Sequence, residues 1–490
     1  MKILFFSNAY PNPANPGQGT FNRTMIAGLA AEHEIRVVSP VSFADIAKAF
    51  VKGRLPRGLN DPQYQAIPGV PALYCPWYYT PKFYRDRYGQ FMRLSVRSKL
   101  DRVMKEFEPE IVLSYWTHPD GEVAVDTAHR FGIRAVTIVG GSDVLINARA
   151  GSRRNTILNV LNRADGVVAV SEDIKRILIA DGIDQNKLLV ARRGTDRRVF
   201  HEGSQSMARR RLNLPDNRPI VINVGRLVDV KGHSHLLDAC QIMSERGTPF
   251  RCYILGDGPL RSTLQSQIEQ LGLNDSVELR GAQTTTELAE WYRAANLSVL
   301  ASLSEGVPNV LLESIACGTP FVASNVGGIS EIADPSLDTL VPAANSTALA
   351  EAIIRHLETP TDGIRQVRSY QPPSMSESAE YLSRILRSVQ TGRPLDGEPC
   401  GIMHETTFDR DVQNEDSNHK SPSSADNDPA VASPSAEKHG GESSHHEIEH
   451  RHEEEQLEFL HEMMFDRETA DNKRIITSNK AKGKSIVVEQ

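Results

Sequence analysis

The sequence predicts an α/β protein with two doubly wound, parallel-sheet domains, followed by a polar tail. Short apolar runs rich in Ile, Val and Leu recur through the first 390 residues with helical patterns between them, as expected for parallel strands joined by crossover helices. The pattern starts twice, at ILFFSN (3–8) and at PIVINV (219–224), and each time it runs into a glycine-containing loop. From about Pro394 the aliphatic residues nearly vanish, and a segment of that composition cannot bury enough apolar surface to fold alone.

In the first block, strands are expected at 3–8, 34–39, 110–115, 134–139, 166–171 and 187–192, with a helical pattern from Thr20 through Ala31 after the first strand. Doubly wound sheets bind ligands at the carboxyl ends of their strands. The loops that follow these strands therefore share one rim. Gly17 and Gly19 follow the first strand, where absent side chains let the backbone approach a phosphate or an acceptor; a plain turn is the alternative. Trp116-Thr117-His118-Pro119-Asp120-Gly121 and Gly140-Gly141-Ser142-Asp143 follow two further strands. Asp120 can take a proton from an acceptor hydroxyl or cap the next helix, and Asp143 has the same two readings. Residues 71–102 interleave aromatics with Lys82, Arg85, Arg87, Arg93, Arg97 and Lys99. That run suits an anionic membrane surface, or a buried aromatic face with solvated arginines.

Residues 201–217 are polar and read as an interdomain linker. The second domain, 218–375, opens with a strand at 219–224 ending in Gly225-Arg226, with Lys231 five residues later. Two cations at the end of a parallel strand can neutralise a diphosphate, the arginine as a fork and the lysine as a point charge. The strand at 251–255 runs into Gly256-Asp257-Gly258, the next is at 276–280, and the strand at 297–302 leads into SEGVPNVLLESIACGTPFVASNVGG (304–328). Within that last string Pro308 stands where a helix begins and Gly318 where it stops, so Glu305 falls in the preceding loop and Glu313 inside the helix. Backbone amides at such a helix start, at Val307, Asn309 and Val310, with Pro308 setting the first turn, form an anion site between two carboxylates. A diphosphate with a hydroxyl-rich group at each end has that shape.

The Glu-x7-Glu string, with G-R-L-x-x-x-K-G upstream and a later GG, resembles the GT4 family of retaining glycosyltransferases with the GT-B fold, over roughly residues 1–390. The resemblance implies two Rossmann-like domains facing a cleft: an acceptor domain (1–200) and a nucleotide-sugar domain (218–375), with a helix at about 376–390 crossing back to the first. It implies that Glu305 contacts the donor sugar and Glu313 the nucleotide ribose. Arg226 and Lys231 would grip the diphosphate, with Gly225 and Gly256 in the surrounding loops. Gly141, Ser142 and Asp143 match the family's basic-Gly-Ser-Asp segment, in which the basic residue faces the donor; here that position is Gly140. Arg193-Gly194-Thr195-Asp196 matches an Asn-Gly-Val-Asp turn with Arg193 in place of the asparagine. The implied function is transfer of a sugar from a UDP- or GDP-sugar to a sugar or lipid-linked acceptor, in cell-envelope or exopolysaccharide synthesis, with Glu305, Arg226, Lys231 and Asp120 as the catalytic set. The alternatives are a non-catalytic GT-B scaffold with a partner-binding tail and, less favoured, a GT-B sugar-nucleotide epimerase. A carboxylate-pair hydrolase is disfavoured, because Glu305 and Glu313 would straddle the diphosphate rather than flank one anomeric carbon.

Composition narrows the class. With 490 residues, 39% hydrophobic and 24% charged, the chain can build two ordinary domains plus extra sequence. A net charge of -7 gives no support for nucleic-acid binding. Five scattered cysteines without CxxC spacing fit a reducing compartment. No apolar window is long enough to span a membrane, so the expectation is a cytoplasmic protein, with peripheral contact at the inner face of the membrane as a further expectation. No cofactor and no metal are expected. Asp409-Arg410-Asp411 lies in the tail; His445, His446, His450 and His452 could bind a metal, but a solvated acidic helix at 446–466 is the favoured reading, and its apolar face would suit a protein partner.

Overall fold

The structure, a computed structural model, describes residues 1–395 except 56–57, 82, 146–152, 216, 359–367 and 394. The tail features predicted beyond residue 395 lie outside the described residues. Among those described, seven strands form one sheet and six form another, and every pairing is parallel.

The first sheet contains β1 (Lys2–Phe6), β2 (Glu34–Ser42), β3 (Ala72–Trp77), β4 (Ile111–Tyr115), β5 (Arg134–Val139), β6 (Gly166–Ala169) and β7 (Leu188–Val190), in the order β3-β2-β1-β4-β5-β6-β7. The second contains β8 (Ile220–Val224), β9 (Arg251–Leu255), β10 (Val277–Gly281), β11 (Leu297–Leu300), β12 (Phe321–Ser324) and β13 (Thr339–Val341), in the order β10-β9-β8-β11-β12-β13. Central strands covered by helices on both faces must be apolar throughout, and β4 and β8 are buried at every position. Two apolar clusters accompany each sheet. Leu4, Phe6 and Val112 fall in one cluster of the first sheet and Ile3, Phe5 and Ile111 in the other, the alternation that a strand with two buried faces produces.

The order of strands reverses beside β1 in the first sheet and beside β8 in the second. At such a switch point the loops leaving adjacent strands diverge to opposite faces and open a crevice. In the first sheet the crevice lies between the loops after β1 and β4, and in the second between those after β8 and β11. These four loops carry Gly17, Trp116, Arg226 and Glu305.

The segment between the sheets is structured in part. Gln205–Arg211 is a helix capped by the Ser204 hydroxyl, and the buried Arg209 donates to Ala294 O at 3.0 Å and Asn296 Oδ1 at 2.7 Å, tying it to the second sheet. The helix Met375–Thr391 starts in a capping box of Ser374 and Glu377 and ends at the left-handed Gly392. Its Tyr381, Leu382, Ile385 and Leu386 pack with Ile3, Phe5 and Ile26 of the first sheet's layer. The aromatic and basic run divides between strand, loop and helix. Trp77 is buried in β3, Met92 and Val96 are buried in the helix Tyr88–Phe107, and Tyr78, Phe83 and Tyr84 are exposed. No helix among the described residues is long and apolar enough to cross a membrane.

Candidate active site

The loops at the two switch points line a single cavity of about 520 Å³ between the sheets. Its second-sheet wall begins where β8 runs into Gly225 and Arg226, and where the Val228–Gly232 turn brings Lys231 back toward the strand end. Gly232 makes that turn at φ 62°, and a Cβ there would fall 2.0 Å from Ala301 O, so only glycine fits. Gly256 lies against the same strand end, where a Cβ would meet Gly225 O at 1.7 Å. His233 is buried and contacts Arg226 O at 2.7 Å through Nε2. Burial pushes its imidazole down to about 4, so a neutral ring supports the Arg226 backbone at physiological pH.

The loop after β11 supplies the carboxylate side. Glu305 Oε1 accepts from Lys231 Nζ at 2.6 Å and from Ser302 Oγ at 2.7 Å. The helix Asn309–Ala316 follows, with Pro308 at its cap and no acidic residue in its first turn. Its first intrahelical donor is Leu311 N, bonded to Pro308 O, so the amides of Asn309 and Val310 precede the hydrogen-bond ladder at the positive end of the dipole. One turn further, the buried Glu313 accepts from Tyr292 Oη at 3.1 Å. Arg226, Lys231, Glu305, Val307, Pro308, Asn309, Val310, Glu313, Gly225 and Gly256 all line the cavity.

The first-sheet wall is formed by Gly17, by the first turn of the helix Thr20–Leu29 with Thr20, Phe21, Arg23 and Thr24, by Tyr115, Trp116 and Gly140, and by Arg193. The two walls meet at the glycines. A Cβ on Gly141 would lie 3.4 Å from Gly306 Cα, and one on Gly306 would lie 3.3 Å from Gly140 O. Beside this contact, Glu331 accepts from Glu172 N at 3.0 Å and Asp173 N at 2.7 Å, and lies 3.5 Å from Arg192. A carboxylate of one sheet's layer thus caps a helix of the other. The Gly327–Glu331 segment supplies this clasp.

Four of the sequence-predicted residues, Asp120, Gly19, Gly141 and Asp143, do not line the cavity. Gly19 makes a left-handed turn against Ala9 O. Ser142 opens the short helix Ser142–Leu145. Asp143 is buried and accepts from Gly141 N, Thr117 N and Thr117 Oγ1, joining the loops after β4 and β5. Asp120 is fully buried; its Oδ1 accepts from Asn8 N in the loop after β1, and its Oδ2 has no partner among the described residues. Burial raises its carboxyl to about 8. His118 is buried too, accepting from Gly89 N at 3.3 Å, which fits a structural role. Sequence reasoning did not select Tyr115, Arg23 or Gln283, which also line the cavity.

Two family profiles match the chain back to back, "Glycosyltransferase Family 4" over residues 16–199 and "Glycosyl transferases group 1" over residues 204–371. The chain belongs to the group 1, family 4 glycosyltransferases. This glycosyltransferase is similar to TuaC of Bacillus subtilis (strain 168), named as a teichuronic acid biosynthesis glycosyltransferase, with 28% identity over 368 residues, 73% of this chain and 89% of TuaC. It is also similar to WcaL of Escherichia coli (strain K12), named as a colanic acid biosynthesis glycosyltransferase, with 28% identity covering 62% of this chain and 76% of WcaL. Among solved structures it shares its fold with HepE of Anabaena in complex with UDP, at 18% identity and a TM-score of 0.56, covering 80% of this chain and 98% of HepE. The GT-B architecture and the family expected from the Glu-x7-Glu string are thereby established.

Proposed function

We propose that this glycosyltransferase moves a sugar, with retention at its anomeric carbon, from a nucleoside-diphosphate sugar to a sugar or lipid-linked acceptor in cell-envelope or exopolysaccharide synthesis. One observation carries the reading: Arg226, Lys231 and the first turn of the helix Asn309–Ala316 converge on one cavity, with Glu305 on one side and Glu313 on the other. Five residues of helix from Pro308 to Glu313 rise about 8 Å, a span that suits a diphosphate with the ribose at Glu313 and the sugar at Glu305. The names of TuaC and WcaL support the setting, and the UDP bound by HepE supports the ligand class, with UDP- and GDP-sugars as the donors to test.

In the reaction, the bond from the anomeric carbon to the diphosphate oxygen breaks and the acceptor oxygen bonds to that carbon from the same face. The acceptor's proton passes to the departing phosphate oxygen. Negative charge grows on the diphosphate as it leaves, and fixed cations and amides aimed at it lower the barrier. Arg226, Lys231 and the helix amides fill that role, while Glu305 orients the sugar and positions the Lys231 ammonium. Asp120, buried behind the cavity wall, acts through the rim by fixing Asn8. The exposed Tyr78, Phe83 and Tyr84, close in sequence to Arg85 and Arg87, give a lipid-linked acceptor a surface that suits a membrane.

The test is a panel of UDP-, GDP- and ADP-sugars offered to the purified chain, with nucleotide binding by calorimetry and turnover in the presence and absence of acceptor extracts. Arg226→Ala is expected to weaken nucleotide binding, and Glu305→Ala to cut turnover by roughly 10²-fold. If no nucleotide-sugar binds and Glu305→Ala leaves every measured property unchanged, the proposal fails.

A further inference from the structure

Two departures from the family's pattern, Gly140 where a basic residue is expected and Arg193 where an asparagine is expected, meet in space. The volume above Gly140 is already filled: a Cβ there would lie 2.3 Å from Tyr115 Oη, so a side chain at 140 requires the Tyr115 ring to move. That buried hydroxyl accepts a 2.6 Å hydrogen bond from the Arg193 guanidinium. The same guanidinium lies 5.0 Å from the centre of the Phe21 ring and 5.9 Å from that of Tyr115, and the two rings are 4.8 Å apart. One hydrogen bond and two aromatic faces therefore hold its position. Its planar form stacks on rings in a way an ammonium does not.

Among the described residues, no carboxylate lies within ion-pair distance of Arg193, in contrast to its neighbours Arg192, which meets Glu331, and Arg198, which meets Asp196. Its charge faces the cavity, which it lines together with Phe21, Tyr115 and Gly140. Gly140 in turn touches the Glu305–Gly306 loop, so this part of the wall stands over the sugar end of the proposed donor site rather than the ribose end.

We propose that Arg193 contacts the donor at the junction of sugar and diphosphate, supplying from the end of β7 the positive charge that residue 140 lacks. Loss of a cation at 140 and gain of one at 193 are then a single exchange, with Tyr115 occupying the vacated volume and aiming the replacement. The proposal rests on the nucleotide-sugar reading of the cavity. As the bond to the diphosphate breaks, the Arg193 N–H groups meet the charge growing on the bridging oxygen from the first-sheet side, opposite Arg226 and Lys231.

The experiment compares wild-type protein, Arg193→Ala, Arg193→Lys and Tyr115→Phe, using UDP-glucose or GDP-mannose, whichever the wild type turns over, and measures calorimetric affinity for the matching free nucleoside diphosphate alongside. Arg193→Ala is expected to lower kcat by roughly 10²-fold, with a smaller loss of nucleoside diphosphate affinity and partial recovery on adding guanidinium ion. Arg193→Lys should retain more turnover than the alanine variant, and Tyr115→Phe, which keeps the guanidinium but releases its anchor, should fall between wild type and Arg193→Ala. A kcat for Arg193→Ala within about threefold of wild type overturns the assignment and leaves the transferase reading intact. So does a loss that follows lowered melting temperature across all three variants with no recovery by guanidinium. Absence of nucleotide-sugar binding by the wild type overturns the reading beneath it.

Discussion

Replacing Asp120 by Asn tests whether the first-sheet rim is held by a proton. The carboxyl is fully buried, one oxygen accepts from Asn8 N, and the other has no partner among the described residues. Desolvation dominates and raises its pKa from 3.8 to about 8, the hydrogen bond from Asn8 only partly opposing it. The folded chain therefore binds a proton at pH 7 that the unfolded chain releases above about pH 4. For a group raised on folding, the stabilising contribution is complete below the unfolded value and is lost as pH rises toward the folded one. The slope is about 1.4 kcal/mol per pH unit, so from pH 5 to pH 7 the wild type should lose on the order of 3 kcal/mol through this group alone. Asparagine has the shape of the protonated acid and keeps the acceptor for Asn8 N, but does not titrate. The stability of Asp120→Asn relative to wild type, from urea midpoints at pH 5, 6 and 7, should rise steadily with pH. A difference constant across that range would show that Asp120 ionises normally in the folded chain, and the argument from burial would fall.

Three further outcomes follow from the same geometry. Gly232→Ala forces a side chain into a left-handed residue and against Ala301 O, so it should cost more than the roughly 1–2 kcal/mol of the backbone term, visible as a lowered urea midpoint together with weaker nucleotide binding through the displaced Lys231. Arg368→Ala removes the partner of Asp338, both buried and joined at 2.6 and 3.1 Å, and should destabilise by about 3–5 kcal/mol in denaturant titration; Asp338→Asn combined with Arg368→Met should recover part of that loss. Glu331→Ala removes the acceptor for Glu172 N and Asp173 N, charge-assisted bonds of about 1.5–3 kcal/mol each, and should enlarge the radius of gyration measured by X-ray scattering, with Glu331→Gln intermediate; superimposable scattering curves would contradict the clasp.

Much of the fold was legible because parallel strands buried on both faces announce themselves as unbroken apolar runs. Ile111–Tyr115 and Ile220–Val224 could hardly be read otherwise. The strands that escaped are those at the edges. Ala72–Trp77 carries a proline and two aromatics, which read as a surface run, and Thr339–Val341 is too short to show a period. The second-sheet half of the site was legible for a related reason: its residues sit within a few positions of the strand ends that present them, so Arg226 and Lys231 in one loop and Glu305 to Glu313 in another carry their geometry in their spacing. The first-sheet half is assembled across sequence. Asp143 and Asp120 stand in the expected loops but turn inward, toward Thr117 and Asn8, because loops packed over a switch point must satisfy their own amides, and a short carboxylate does so before it can reach the cavity. Conversely Arg193 looked like an isolated substitution, since nothing in its neighbourhood mentions Tyr115, 78 residues away along the chain. Only the 2.3 Å overlap above Gly140 shows that the glycine, the tyrosine and the arginine form one arrangement. A departure from a family's pattern is therefore best examined by asking which side chain occupies the volume it vacates.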